Sequence, residues 1–109
     1  MGIKSIYLAR RRADLTHDEM IKHWGSIHAP LAIKHHIGMW RYVRNVVEAA
    51  LLPVAEPWDG FAELYFRSSE DLVQRMFDSD EGRSVIRADI ATFSGPGKAL
   101  HTREHVLLP

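Results

Sequence analysis

Apolar and polar positions along the chain follow two periods and mark out six elements. Residues 3–10 (IKSIYLAR) form a short apolar run bounded by charge, which suits a strand. Thr16 followed three residues later by Glu19 is a capping box, in which each side chain satisfies a free N–H of a helix start. Met20, Trp24, Ile27 and Leu31 then recur at spacings of four, three and four, so one helical face is apolar. Pro30 lacks an N–H and its ring crowds the preceding turn, which predicts a break and two helical pieces with Pro30 near the start of the second. Gly38 ends that helix, and residues 39–49 (MWRYVRNVVEA) read as a second strand. The stretch 50–60 (ALLPVAEPWDG) predicts a long loop, and long loops in small domains often carry function. Residues 61–67 (FAELYFR) read as a third strand, after which Ser68 or Ser69 caps a helix beginning Glu70-Asp71. That helix carries Leu72, Val73, Met76 and Phe77, restarts near Asp80, and carries Val85, Ile86, Ile90 and Phe93. Ser94-Gly95-Pro96-Gly97 stops it, and residues 99–108 (ALHTREHVLL) read as a fourth strand.

The order β-α-β-β-α-β is the split βαβ or ferredoxin-like plan, an α+β fold in which an antiparallel sheet carries both helices on one face. A sheet with one wet face should alternate apolar and polar residues. Phe61, Ala62, Leu64, Tyr65 and Phe66 instead place apolar groups on both faces of the third strand, as Ile6, Tyr7, Leu8 and Ala9 do on the first. The helices cover only one face, so the other is expected to pack against a second copy of the chain. At 109 residues, positions 1–109 read as a single domain.

Composition narrows the function classes. Basic and acidic residues balance at 14 each, so the clustered positive excess needed to hold nucleic acid or an anionic membrane is absent. The run Arg10-Arg11-Arg12 reads as a solvated strand end. Without cysteine, disulfides, cysteine-held zinc, iron–sulfur clusters and thiol chemistry are excluded. The chain shows neither a signal-peptide core nor a continuous apolar run of about 18 residues, so a cytoplasmic location is expected.

Seven histidines remain, four of them within residues 23–36 (HWGSIHAPLAIKHH). A metal site needs three or four ligands converging at about 2 Å. His23 and His28 lie about 140° apart round a helix, and His101 and His105 are roughly 13 Å apart on a strand. Neither a metal site nor haem ligation is therefore expected. Only His28 sits at the proline break beside the apolar stripe, where an imidazole can be partly buried with its pKa in a working range. Its alternative task is to satisfy the carbonyl freed by the broken turn. His23 borders the stripe, His17 is a first-turn polar residue, and His35 and His36 read as surface. Glu63, the sole charge in FAELYF, is either desolvated or paired. It is a general acid/base, a group that orients an imidazole, or the partner of an arginine such as Arg41 or Arg44. Asp59 reads as a turn former in Trp58-Asp59-Gly60, and Tyr7 and Tyr65 can each point a phenol between sheet and helices.

Thr16 to Met20 (THDEM), His23-Trp24 followed by His28-Ala29-Pro30-Leu31, the segment Asp59-Gly60-Phe61-Ala62-Glu63-Leu64, and Phe66, Asp89 and Phe93 together resemble the EthD family of the dimeric α/β-barrel superfamily. The likeness spans residues 3–105. It implies a homodimer whose two sheets form a barrel, with a small-molecule pocket in each subunit between sheet and helices, and no cofactor. It carries a proton-transfer role onto His28 and the family's strand glutamate, with a less defined role, onto Glu63. The expected activity is that of a cofactor-independent acid/base enzyme, a lyase such as a dehydratase, on a cyclic oxygenated, polyketide-like or aromatic molecule. His28 would move a proton next to a carbonyl, and Glu63 or Tyr7 would hydrogen-bond the developing enolate or leaving oxygen. Trp24, Leu31, Phe61, Tyr65 and Phe66, with His23 at the border, are the expected lining. Isomerisation or cyclisation of a lactone or polyketide, a cofactor-free or haem-using oxygenase, and non-catalytic small-molecule binding are the alternatives on the same barrel.

Overall fold

The computed structural model describes residues 2–51 and 57–109. Strands β1 (Ile3–Ala9), β2 (Met39–Val46), β3 (Gly60–Phe66) and β4 (Lys98–Arg103) form one antiparallel sheet in the order β2-β3-β1-β4. Helices α1 (His17–His23), α2 (Ala29–His35), α3 (Ser69–Gln74) and α4 (Asp80–Phe93) complete the expected ferredoxin-like α+β plan. No described helix is long and apolar enough to cross a membrane. Strand β2 stops at Val46 and β4 at Arg103, both short of the sequence expectation. Of the loop read at 50–60, residues 52–56 lie outside the described part, and Gly60 already belongs to β3.

Local chemistry explains the helix starts. The Thr16 hydroxyl accepts from the Glu19 N–H while the Glu19 carboxylate accepts from the Thr16 N–H, closing the capping box. Ser68 and Ser79 cap α3 and α4 with their hydroxyls, each ahead of two acidic residues in the first turn.

The two helical pieces expected around Pro30 are present, with Pro30 at the start of the second, but a wide turn and not a break of the helical backbone joins them. Residues Trp24–His28 form a single π turn that joins α1 to α2, with right-handed helical backbone on both sides. The Ala29 N–H donates to the Trp24 carbonyl five residues back. This wider turn relieves the contact that a regular turn would impose between the Pro30 ring and the carbonyl four residues earlier. It also rotates α2 about the helix axis. The inward stripe runs Met20, Trp24, His28 and Ala32, whereas Ile27 is 49% exposed.

Parity decides the two faces of the sheet. On β3, Gly60, Ala62, Leu64 and Phe66 are buried, and Ala62, Leu64 and Phe66 join Met20, Trp24, Leu72 and Phe93 in the core. Phe61, Glu63 and Tyr65 occupy the opposite face, level with Leu8, Ile6 and Lys4 of β1. There Glu63 is paired, but with neither Arg41 nor Arg44. The Lys4 Nζ donates to Glu63 Oε2 at 2.7 Å and to Glu104 Oε2 at 2.9 Å, and the Asn45 amide donates to Glu63 Oε1 at 2.9 Å. The bond from Lys4 holds the Glu63 carboxyl below its ordinary range. Arg44 lies on the helix side, donating to the Ile21 carbonyl, and Arg41 stands over the Tyr65 ring. Asp59 is more than a turn former: it accepts from the Arg11 backbone and guanidinium and from the His17 ring, tying the end of β1 to the start of β3 and α1.

Gly60 is where β3 passes beneath Trp24. A Cβ there would lie 2.6 Å from the Asn45 carbonyl oxygen and 2.9 Å from Trp24 Cζ3. Gly60→Ala is therefore expected to lower stability by about 1–3 kcal/mol through overpacking, read by urea or thermal unfolding; unchanged stability would contradict this close approach.

Candidate functional site

A cavity of about 470 Å³ opens between the helix side of the sheet and the layer of α2 and α4. Trp24, Leu64, Ile86, Ile90 and Phe93 supply apolar wall, and His28, His36, Tyr7, Tyr42, Ser5 and His101 supply polar atoms. A smaller recess of about 260 Å³ beside α3 is lined largely by Ile3, Leu72 and Val73 and shares His101.

The π turn sets His28 into the larger cavity, where the residue is only 7% exposed. Its Nδ1 lies 2.9 Å from Asp89 Oδ2 on α4. A carboxylate can only accept, so Nδ1 carries the proton and Nε2 keeps its lone pair. Among the described residues Nε2 has no partner, and it is not sealed from the cavity. The second oxygen of Asp89 accepts from His23 Nε2 at 3.0 Å. Phe93 packs against both imidazoles, with ring centroids 4.9 Å from His23 and 5.0 Å from His28. Burial pushes the His28 imidazole below its ordinary pKa, against the pull of Asp89.

His36 is the second imidazole of the cavity. The sequence pattern puts it at the surface, together with His35, yet both are buried. The register shift at the π turn and the packing of the end of α2 on residues 75–79 account for this. His36 Nδ1 donates to the Met76 carbonyl at 2.6 Å, and His35 Nδ1 meets Asp78 Oδ2 at 3.0 Å. Burial pushes His36 below its ordinary pKa as well. Tyr42 accepts from Trp24 Nε1 at 3.1 Å, which leaves its own O–H free to donate, and burial raises its pKa so that the phenol stays protonated. Among the described residues no three His, Asp or Glu side chains cluster in a way that could hold a metal ion.

Of the residues singled out from sequence, the structure brings His28, Tyr7 and Trp24 to the cavity. Glu63, Phe61 and Tyr65 are on the other face of the sheet, so Glu63 cannot orient His28 or meet a ligand beside it. Phe66 is sealed in the core, Leu31 is turned off the wall by the register shift, and His23 acts behind Asp89 and not on the wall. Sequence reasoning missed His36 and Tyr42, and it offered Asp89 only within the family likeness. The signal for Asp89 was its place between Ile86 and Phe93 on the apolar stripe of α4, where a carboxylate demands a partner.

The pattern of the EthD domain matches residues 12–97. No curated protein matches the chain. Among solved structures, an EthD family protein from Bacillus halodurans C-125 is 23% identical, with 96% of this chain and 100% of that one covered at a TM-score of 0.75. A dimeric ferredoxin-like protein of unknown function from Thermobifida fusca YX is 21% identical, covering 94% and 90% at 0.57. A hydroxynitrile lyase from Passiflora edulis is 14% identical, covering 99% and 97% at 0.67. Identities this low establish the shared fold.

The two buried imidazoles make stability depend on pH. Both have folded pKa values below the ordinary 6.5, so the unfolded chain takes up protons first as pH falls. Their contribution is intact above pH 6.5 and is lost as pH falls from there through the lower folded values. Thermal melts measured by circular dichroism should show Tm falling from pH 7 to 5, above the range in which ordinary carboxylates titrate. The fall should be smaller in His36→Gln, and an identical pH dependence in wild type and variant would refute the assignment.

Proposed function

The chain belongs to the EthD family, and from that premise and the His28–Asp89 pair we propose that it is a cofactor-independent acid/base enzyme of the lyase type, a dehydratase of a cyclic oxygenated small molecule. The observation that carries the proposal is a single imidazole, held by a carboxylate through Nδ1, whose Nε2 opens into an apolar cavity. Support for lyase chemistry on this fold comes from the Passiflora edulis hydroxynitrile lyase.

In the proposed reaction Nε2 of neutral His28 removes a proton from the carbon next to a carbonyl. The electron pair of that C–H bond forms the enolate, whose oxygen accepts from Tyr7 or Tyr42. Collapse of the enolate makes the carbon–carbon double bond and expels the β-hydroxyl, which leaves as water with the proton returned from the imidazolium. Protons balance and His28 is regenerated neutral. Asp89 stabilises the transient imidazolium and fixes the ring, and the apolar wall strengthens each of these bonds by excluding water. Tyr42 is suited to the enolate because the Trp24 N–H already polarises its oxygen.

The outer face of the sheet is proposed as a homodimer contact. Ile6, Leu8, Val43 and Phe61 are not fully buried there and Leu100 is 53% exposed, and the Thermobifida fusca protein of this fold is dimeric.

Two experiments test these readings. A panel of cyclic β-hydroxy ketones and hydroxylated lactones, assayed by mass spectrometry for loss of water, should give turnover with wild type. His28→Ala should reduce it by about 10²- to 10⁴-fold while circular dichroism shows the fold kept, and Asp89→Asn should reduce kcat with little change in KM. Full turnover in folded His28→Ala would overturn the mechanism, and binding without any product would make the cavity a ligand-binding site. Separately, Phe61→Glu should convert a dimer to a monomer in analytical ultracentrifugation; a variant of unchanged mass would place the contact elsewhere.

A further inference from the structure

The charge balance of the cavity wall is one-sided. Among the described residues its lining includes neither Asp nor Glu, and its one permanently charged residue is Arg87. Asp89 sits behind His28 with both oxygens occupied, and burial favours the neutral form of His28 and His36, while the third imidazole of the wall, His101, is exposed. Arg87 therefore faces no carboxylate on the described wall.

Among the described residues most other arginines have a partner, and the two that do not, Arg75 and Arg103, do not line this cavity. Arg11 and Arg12 pair with carboxylates, Arg10 and Arg44 donate to backbone carbonyls, and Arg41, Arg67 and Arg83 stand over aromatic rings. Arg87 makes no hydrogen bond, ion pair or ring contact among the described residues. It is exposed, next to buried Ile86 and one turn before half-buried Ile90, so it stands at the cavity mouth and not on its floor. A solvated guanidinium there costs nothing while the cavity is empty. It offers a planar pair of donors that a carboxylate meets bidentately, beside apolar wall that weakens screening.

We infer that the ligand of this cavity is a carboxylic acid, with an aromatic or cyclic body seated between Trp24 and Phe93 and its carboxylate held by Arg87 at the mouth. This rests on the functional reading in taking the cavity as the substrate site, and it narrows the substrate to cyclic or aromatic hydroxy acids. Arg87 then selects acids over neutral ketones and fixes which end of the molecule reaches His28.

The test compares 2-naphthoate with its neutral isostere 2-naphthamide by isothermal titration calorimetry on the full chain. Wild type should bind naphthoate at least about tenfold more tightly, as a charge-assisted bidentate pair predicts, and added salt should shrink the difference. Arg87→Gln should bring the two affinities within about twofold while leaving that for naphthamide unchanged, and Arg87→Lys should keep part of the preference. His28→Ala should retain the full preference. Equal affinities in wild type, a preference that survives Arg87→Gln, or no binding of either probe would overturn the inference. A preference lost in His28→Ala but kept in Arg87→Gln would also overturn it, by making an imidazolium the anion's partner. The calorimetry reads binding of unreactive probes and not turnover, so its failure is separate from failure of the dehydration assay.

Discussion

The hydrogen bond from the Ala29 N–H to the Trp24 carbonyl spans five residues instead of four, and the site depends on that extra residue. Trp24 is anchored on the core side by burial and by its bond to Tyr42. With the start of the turn fixed, a regular α-turn would leave both Ile27 and His28 at the borders of the Trp24 face, within about 60° of it. The wide turn chooses between them, leaving Ile27 half exposed and His28 buried, and at the end of α2 His36 reaches the same cavity. Pro30 supplies the reason for a wide turn at this place, since its ring and missing donor disfavour the regular ladder. A helix irregularity thus brings a border imidazole, His28, and one read as surface, His36, to the same cavity.

The sheet separates two kinds of chemistry by parity. Its helix face presents small and aromatic groups to the cavity and contributes no carboxylate to the described lining. Its outer face concentrates charge at one point, the Lys4 ammonium between Glu63 and Glu104, with the single Tyr65 O–H shared between the two carboxylates at 3.1 Å from each. An ion pair of this kind in a partly apolar surface gives register more than net stability. A second sheet laid on it would have to meet that network in one orientation, which favours a specific contact over nonspecific stacking.

Much of the fold was legible in the sequence because its signals are local. The Thr16–Glu19 capping box, the serines before acidic first turns, and the glycine and proline clusters each act within a few residues, and the elements begin and end near them. The faces were harder. Both Ile27 and His28 come after Trp24 at helical spacing, and only the hydrogen-bond pattern of the folded turn chooses between them. For β3, alternation alone groups Glu63 with Phe61 and Tyr65 and apart from Ala62 and Leu64. Which group meets the helices is settled by pairing across β1, where Tyr7 lies opposite Ala62 and Lys4 opposite Tyr65. That contact joins residues distant in sequence, and no local pattern records it. Asp89 belongs to the same class, since its meaning arises only where α4 meets the π turn.

Two opposed influences on His28 explain why a buried imidazole is paired with a carboxylate at all. Burial alone would keep the ring neutral but make the imidazolium formed in proton transfer too costly. A carboxylate alone, in water, would favour a ring already protonated and unable to act as a base. Together they give a ring that is neutral at rest, because burial dominates, and that still has a charge partner 2.9 Å away when it takes a proton. His23 completes the arrangement by donating to the second oxygen of Asp89, so the carboxylate cannot rotate away from Nδ1. His36 has the burial without the carboxylate, its Nδ1–H being given to a backbone carbonyl. A carbonyl fixes the tautomer but compensates little of a full positive charge. The two buried imidazoles of the cavity are therefore unequal: His28 can cycle through the charged form, and His36 is held as a neutral hydrogen-bond acceptor.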